Sequence, residues 1–333
     1  MEQIALIAGE YVIYWKNLML AAAAVCAVVC FMAFYVRDRQ TLMSALIGVP
    51  LTLVLSLYSA RAIHWYCHPS NYPGLGAALL DLSAGDFALI GVFFGAVMAV
   101  CLLKLFRLAP DAGTLLESMA MAGACGIGIG RLASLFDTSC RGLILKDGSM
   151  YPLAFPMVDP VSGETEHRLA TFLLQSGVAW LLLGLMLVMR ARDKQSRHDR
   201  WLIFLLLYCA AQTVLDSTRY DPLSFRSNGF VSIVQAMSAA AVVFVGVVFS
   251  VRMVRQRGLR PWAFGLWLGI LGALGGAGYM EYYVQRHGYK ALFSYTCMTL
   301  FLLLAVSLIL TVRKLSLTGG KQTKMRGRYL RQT

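Results

Sequence analysis

The chain has 333 residues, of which 58% are hydrophobic and only 14% charged, and its mean hydropathy is +0.64. Soluble globular chains are nearer half apolar and a quarter charged, so that class is excluded. The formal net charge of +13 would suit nucleic acid in a soluble protein, but no aromatic and basic patch for single strands accompanies it, and no nucleic-acid partner is expected.

In chain order, the N-terminus carries Glu2 and Glu10 and lacks a basic region, which reads as the start of a mature protein rather than a removed signal peptide. A bilayer core about 30 Å thick needs roughly 20 apolar residues at about 1.5 Å rise each. About nine windows qualify: 15–36, 42–66, 87–107, 115–136, 168–189, 201–220, 230–251, 261–284 and 292–312. The expected fold class is therefore all-α, a polytopic helical membrane protein. Its expected parts are a seven-span body over 1–251, two additional helices within 252–312 and a basic tail, 313–333.

Gly48 and Pro50 interrupt the second window, and Gly123, Gly126, Gly128 and Gly130 the fourth. Small residues let membrane helices approach closely, and without a preceding strand this glycine run is not a nucleotide-binding loop. The connector 137–167 is rich in turn formers (Asp147-Gly148, Pro152, Pro156, Pro160, Ser162-Gly163) and predicts a small cap. Eight cysteines, mostly inside apolar runs, lack metal-ligand spacing; no metal or cofactor is expected.

Charge alternates from connector to connector. Arg37 and Arg39, Lys104 and Arg107, the arginines and lysine of 190–200, those of 252–260 and the basic tail form one set. The other is neutral or acidic, with Asp81 and Asp86 and then Asp137, Asp147, Asp159, Glu164 and Glu166. By the positive-inside rule the C-terminus is cytoplasmic and the N-terminus outside.

Ionisable residues inside spans cost several kcal/mol unless they pair or line a polar cavity, so they are the informative ones. With this orientation, Arg61, Arg131, and the pair Asp216 and Arg219 fall near the outer ends of spans two, four and six. Three arginines at one depth suit the phosphate of an anionic phospholipid by bidentate hydrogen bonding. Snorkelling to headgroups is the structural alternative. His64, three residues after Arg61, and His167 are candidate proton acceptors or ordinary interfacial histidines. Asp86 borders span three; Tyr208 and Gln212 lie inside span six, where polar groups also serve interhelical bonding.

At these residues the sequence resembles the prolipoprotein diacylglyceryl transferase family. The fourth span carries Glu117, Gly126, Gly130-Arg131-Leu132-Ala133 and then Gly142 at the family's spacing. Ala60-Arg61 followed by aromatics, Tyr208, Asp216-x-x-Arg219-x-Asp221, Gly229 and Gln235-x-x-Ser238 follow in the family's order. The likeness covers roughly residues 10–250. It departs at the third span, where Phe87-Ala88-Leu89 replaces a His-Gly-Gly, at Gln212, where the family has a second arginine, at Leu20, and at Ser134 and Asp137, where the family is rich in Asn.

The resemblance implies a bacterial inner-membrane enzyme that moves the diacylglyceryl group of phosphatidylglycerol to the Cys thiol of an exported prolipoprotein. It implies catalytic roles for Arg131 and Arg219, with Asp86 or His64 standing in for the family's histidine. Lipid contacts would come from Arg61, Arg131, Ser134, Asp137, Gly142, Tyr208, Gln212, Asp216 and Gln235. A paralogue acting on another lipid group, or a non-catalytic phospholipid-binding protein, remains the alternative.

Overall fold

A computed structural model describes residues 4–8, 11–80, 87–145, 153–158, 163–192, 199–225, 228–287 and 290–329. Asp81 and Asp86 lie outside the described residues, as do most of the turn formers of the 137–167 connector. Among the described residues the protein is a set of long helices with three two-stranded hairpins. Seven helices among the described residues are long and apolar enough to cross a membrane, and Leu89–Leu105 is a shorter apolar helix. The chain is an all-α polytopic membrane protein. It forms two compact units, one of residues 1–204 and 218–234, the other of 205–217 and 235–333.

In the first unit a hairpin of β1 (Ile4–Ala8) and β2 (Tyr11–Tyr14) leads directly into α1 (Trp15–Tyr35). Helix α2 (Arg39–Cys67) starts from a capping box, with Asp38 Oδ1 accepting from the Thr41 amide at 2.8 Å and Thr41 Oγ1 accepting from the Asp38 amide at 3.0 Å. Pro50 is accommodated inside it. A short α3 (Leu75–Leu80) precedes α4 (Leu89–Leu105), and Asp111 caps α5 (Ala112–Gly130) by accepting from the Gly113 and Thr114 amides. A 3-10 segment, Arg131–Leu135, continues α5, and α6 spans Thr171–Arg192.

Helices α2 and α4 run antiparallel and nearly touch. A Cβ on Gly91 would come within 2.4 Å of the Ala60 backbone, and one on Gly95 within 2.3 Å of Ser56. This four-residue spacing of glycines is the small-residue packing that lets membrane helices approach. The end of α1, the start of α2, the end of α4 and the start of α5 share one core of Phe31, Tyr35, Ala45, Val100, Leu103, Leu115 and Ala122. It follows that the C-terminal ends of α2 and α5, which carry Arg61 and Arg131, lie at the other end of this unit.

The 137–167 connector folds back at that end. Strands β3 (Ala154–Val158) and β4 (Thr165–Leu169) form a hairpin, and residues 142–145 line its other edge through Gly142 N to Leu169 O at 2.7 Å and Leu145 N to His167 O at 2.7 Å. The first unit closes with strand β5 (Ser224–Phe225) paired to β6 (Asn228–Ser232).

The second unit contains residues 205–217 of α7 (Arg200–Ser217), most of α8 (Ile233–Arg257), α9 (Pro261–Arg286) and α10 (Ala291–Tyr329). Pro261 opens α9 at the position where its missing N–H costs nothing. The α9–α10 pair also packs at glycines: a Cβ on Gly276 would meet the Phe301 ring at 2.8 Å. Helix α10 continues to Tyr329, through most of the stretch expected as a basic tail. All eight cysteines are unpaired.

Candidate active site

The end of the first unit that holds Arg131 gathers charge from five parts of the chain. Arg131 begins the 3-10 segment and is half-buried. Its Nη1 donates to Cys140 Sγ at 3.1 Å, while its Nε is buried and meets no hydrogen-bond partner among the described residues. Cys140 itself takes a φ of 58°, in the left-handed region that non-glycine residues enter at a cost, and its amide donates to Asp221 Oδ2 at 3.1 Å. Arg219 grips the same Asp221, through Nε to Oδ1 at 3.2 Å and Nη2 to the backbone carbonyl at 3.0 Å. One short chain of contacts thus joins Arg131 to Arg219.

The window 201–220 puts Asp216 and Arg219 on one span, and the structure ends the helix between them. Helix α7 ends at Ser217, so Arg219 lies beyond it and takes Asp221 as its ion-pair partner at 3.1 Å.

Ser134 and Asp137 follow Arg131 closely. Ser134 Oγ lies 3.3 Å from Ser139 Oγ, and Asp137 forms an ion pair with Lys16 at 2.5 Å. Burial pushes the Asp137 carboxyl up, but the Lys16 hydrogen bond and charge, with the Thr138 amide, outweigh it and hold the group below the usual carboxylate range. Gly142 is required by space: a Cβ there would sit 2.4 Å from Thr171 Oγ1 and 3.0 Å from Leu169 Cβ. Thr171 in turn lies 3.0 Å from Thr218 Oγ1, which ties the start of α6 to the chain entering Arg219.

Two further arginines belong to this end. Arg141 is 5% exposed, its guanidinium lying between the rings of Phe155 and Phe172 with Nη2 on the Asp137 carbonyl at 3.2 Å. Burial pulls it below the ordinary arginine value, with Asp137 acting against that. Arg168 lies 4.3 Å from the Tyr220 ring centroid and pairs with Glu166 at 2.8 Å. Neither was legible as a site residue, because a cation in a connector carries no cost of insertion to betray it.

Arg61 is placed differently. It is 1% exposed, donates from Nε to the Ala78 carbonyl at 2.9 Å and from Nη1 to Tyr72 Oη at 3.1 Å, and lies against the Tyr72 and Phe87 rings. His64 shares the same phenol, at 3.3 Å from Nδ1, and stacks on His68. The structure therefore brings Arg61 and His64 together through Tyr72. His167 is exposed on β4.

Comparison with known proteins gives the family of the chain. Residues 3–252 match the family described as prolipoprotein diacylglyceryl transferase. The chain belongs to that family. It is a multi-pass membrane transferase of lipoprotein biosynthesis. Over 257 residues it is 26% identical to the phosphatidylglycerol--prolipoprotein diacylglyceryl transferase of Leifsonia xyli subsp. xyli (strain CTCB07), covering 69% of this chain and 73% of that protein.

The second unit of this transferase carries the remaining candidates. Tyr208, Gln212 and Asp216 recur every four residues along one face of α7, and all three are buried. Gln212 Nε2 has no hydrogen-bond partner among the described residues. Gln235, at the start of α8, is buried and reaches the Thr213 carbonyl at 3.5 Å.

Proposed function

We propose that this transferase takes phosphatidylglycerol as donor and the lipobox Cys thiol of an exported prolipoprotein as acceptor, at the outer face of a bacterial inner membrane. The C-terminus is then cytoplasmic and the N-terminus outside, as the connector charges require. The observation that carries the site is Arg131, a half-buried guanidinium whose Nε is unpartnered among the described residues, joined through Cys140 and Asp221 to Arg219. Guanidinium edges match phosphate oxygens and keep their charge in a membrane setting.

In the reaction, the thiol proton passes to a base and the thiolate attacks the glyceryl carbon that bears the phosphate ester. An S–C bond forms from the sulfur electron pair. The C–O bond breaks with its pair going to oxygen, and glycerol phosphate leaves with one more negative charge. Arg131 and Arg219 face that growing charge, where fixed donors contribute most. Ser134, Asp137 and Gly142 shape the same segment, and Tyr208, Gln212, Asp216 and Gln235 supply polar contacts to the lipid. His64 and Asp86 are the proposed proton acceptors. Arg61, closed in by Ala78, Tyr72 and Phe87, holds Tyr72 and through it His64.

The test is transfer from labelled phosphatidylglycerol to a lipobox peptide by the purified protein. Wild type should transfer, and Arg131→Ala should slow the step by roughly 10²–10³-fold, the loss typical of one charge-stabilising donor. Transfer that survives Arg131→Ala overturns the site. An intact protein that binds phospholipid without transfer is a non-catalytic binder instead.

A further inference from the structure

The last two helices, α9 and α10, lie beyond the family match, which ends at residue 252. Within the second unit they meet the last residue of α7. Glu281, on α9, is 8% exposed and accepts the Ser217 hydroxyl on Oε2 at 2.5 Å; its Oε1 accepts from Gln285 Nε2 at 3.2 Å. Tyr295, on α10, is also buried and donates its hydroxyl to the Ser217 carbonyl at 2.9 Å. Side chain and carbonyl of one residue are thus held by two different helices.

Elementary considerations make this an odd place for an acid. A helix ends with carbonyls that lack intrahelical partners, and its C-terminus carries partial negative charge. Tyr295 answers the first need. Glu281 answers neither: an acidic side chain at this end opposes the helix dipole, and an acid in an apolar helix carries an insertion cost. Places where local rules are broken in this way are expected to be functional or strained. The last two turns of α7, which end at the held residue, contain Gln212, Thr213 and Asp216, and Gln235 bonds to them through the Thr213 carbonyl.

We infer that Glu281 and Tyr295 are positioning residues that the two C-terminal helices add to this transferase, fixing the last two turns of α7 so that Gln212 and Asp216 are presented in one orientation. The inference rests on the transferase reading above for its consequence, but the clamp is measurable without it. A glutamine at 212, where the family's second arginine is missing, is a shorter and uncharged reach; a helix end held rigidly from outside the family body compensates for that loss of grip.

The experiment uses the full-length protein in phosphatidylglycerol nanodiscs. Amide exchange across 213–217 should rise about tenfold in Glu281→Ala and in Ser217→Ala, because a helix end freed of its partners frays. Glu281→Gln, whose amide oxygen still accepts the Ser217 hydroxyl, should restore most of the protection. For transfer to a lipobox peptide, Glu281→Ala should lower kcat about tenfold with a peptide KM within about twofold, and Ser217→Ala combined with Glu281→Ala should be no worse than either alone. Tyr295→Phe should give a smaller version of the same pattern. Unchanged exchange in Glu281→Ala, or additive losses in the double variant, overturns the clamp. The exchange response in the variants together with no transfer by the wild type removes the transferase reading and leaves the clamp standing.

Discussion

The two ends of the first unit supply their arginines with acids differently. At one end Glu117, 4% exposed, takes Arg200 Nη1 at 2.5 Å, with Arg190 at 3.9 Å behind it, although the Arg200 Nε is buried without a hydrogen-bond partner among the described residues. At the other, Arg131, Arg141 and Arg168 each keep a buried Nε that finds no partner among the described residues, although Asp137, Asp221 and Glu166 lie close by. A carboxyl that meets a guanidinium squarely makes a structural tie. Donor edges left over among acids already engaged make a place for a further anion. Since Arg200 keeps a spare Nε as well, a leftover edge does not by itself separate the ends; the difference is that Arg200 has a buried carboxyl of its own, whereas Arg131 meets only a neutral thiol among the described residues.

The sharpest way to break the contrast is at Arg131. Arg131→Lys should fail nearly as badly as Arg131→Ala, losing roughly 10²-fold or more in kcat, because an ammonium cannot reproduce the two-edged donor. A lysine variant with near-normal transfer, measured with labelled phosphatidylglycerol, would reduce the site to a point charge. At the opposite end Glu117→Ala leaves Arg200 without its acid and should cost about 3–5 kcal/mol of stability. Thermal unfolding of the purified variant measures this. The transfer rate per folded molecule should barely move, and a drop in kcat at full stability would erase the distinction between the ends.

Gly142→Ala sharpens the picture of the Arg131 end. The added methyl collides with Thr171 Oγ1, so the variant should lose about 1–3 kcal/mol through overpacking, together with most of its transfer. Gly142→Ala with Thr171→Ala should recover part of both; no recovery would mean that the glycine serves the lipid rather than the packing. The smallest effect concerns pH. The folded Asp137 carboxyl lies below its ordinary value of 3.8, so its contribution to stability is present above that value and is lost as pH falls through the folded one. Unfolding midpoints followed from pH 5 downward, at about half-unit steps, should fall less steeply in Lys16→Met than in wild type.

Much of the architecture was legible because hydropathy sums along the chain. The window 15–36 and helix Trp15–Tyr35 agree to one residue, as do 42–66 and the end of Arg39–Cys67. The window 201–220 ran past the true end of α7 at Ser217, since Thr218 and Arg219 follow an apolar run without a glycine or proline to mark the boundary. The site was legible in part. Arg131 stood out as an arginine in an apolar stretch; Glu281, inside the window 261–284, meets the same criterion but is not among the residues singled out above. Arg141 and Arg168 did not, because connectors tolerate charge.

The sequence by itself determined the membrane class, the helical periods and the alternation of connector charge. These depend on composition over one or two dozen residues and on nothing further away. Only the tertiary structure decided which arginines are closed and which open. Arg61 and Arg131 look alike in sequence, each near the end of an apolar helix. Arg61 meets Ala78 and Tyr72 because the chain after α2 folds back over it, whereas Arg131 meets a thiol and leaves one edge over. Hydrogen-bond partners are set by which segments return to the same place, and that information is spread across the whole chain.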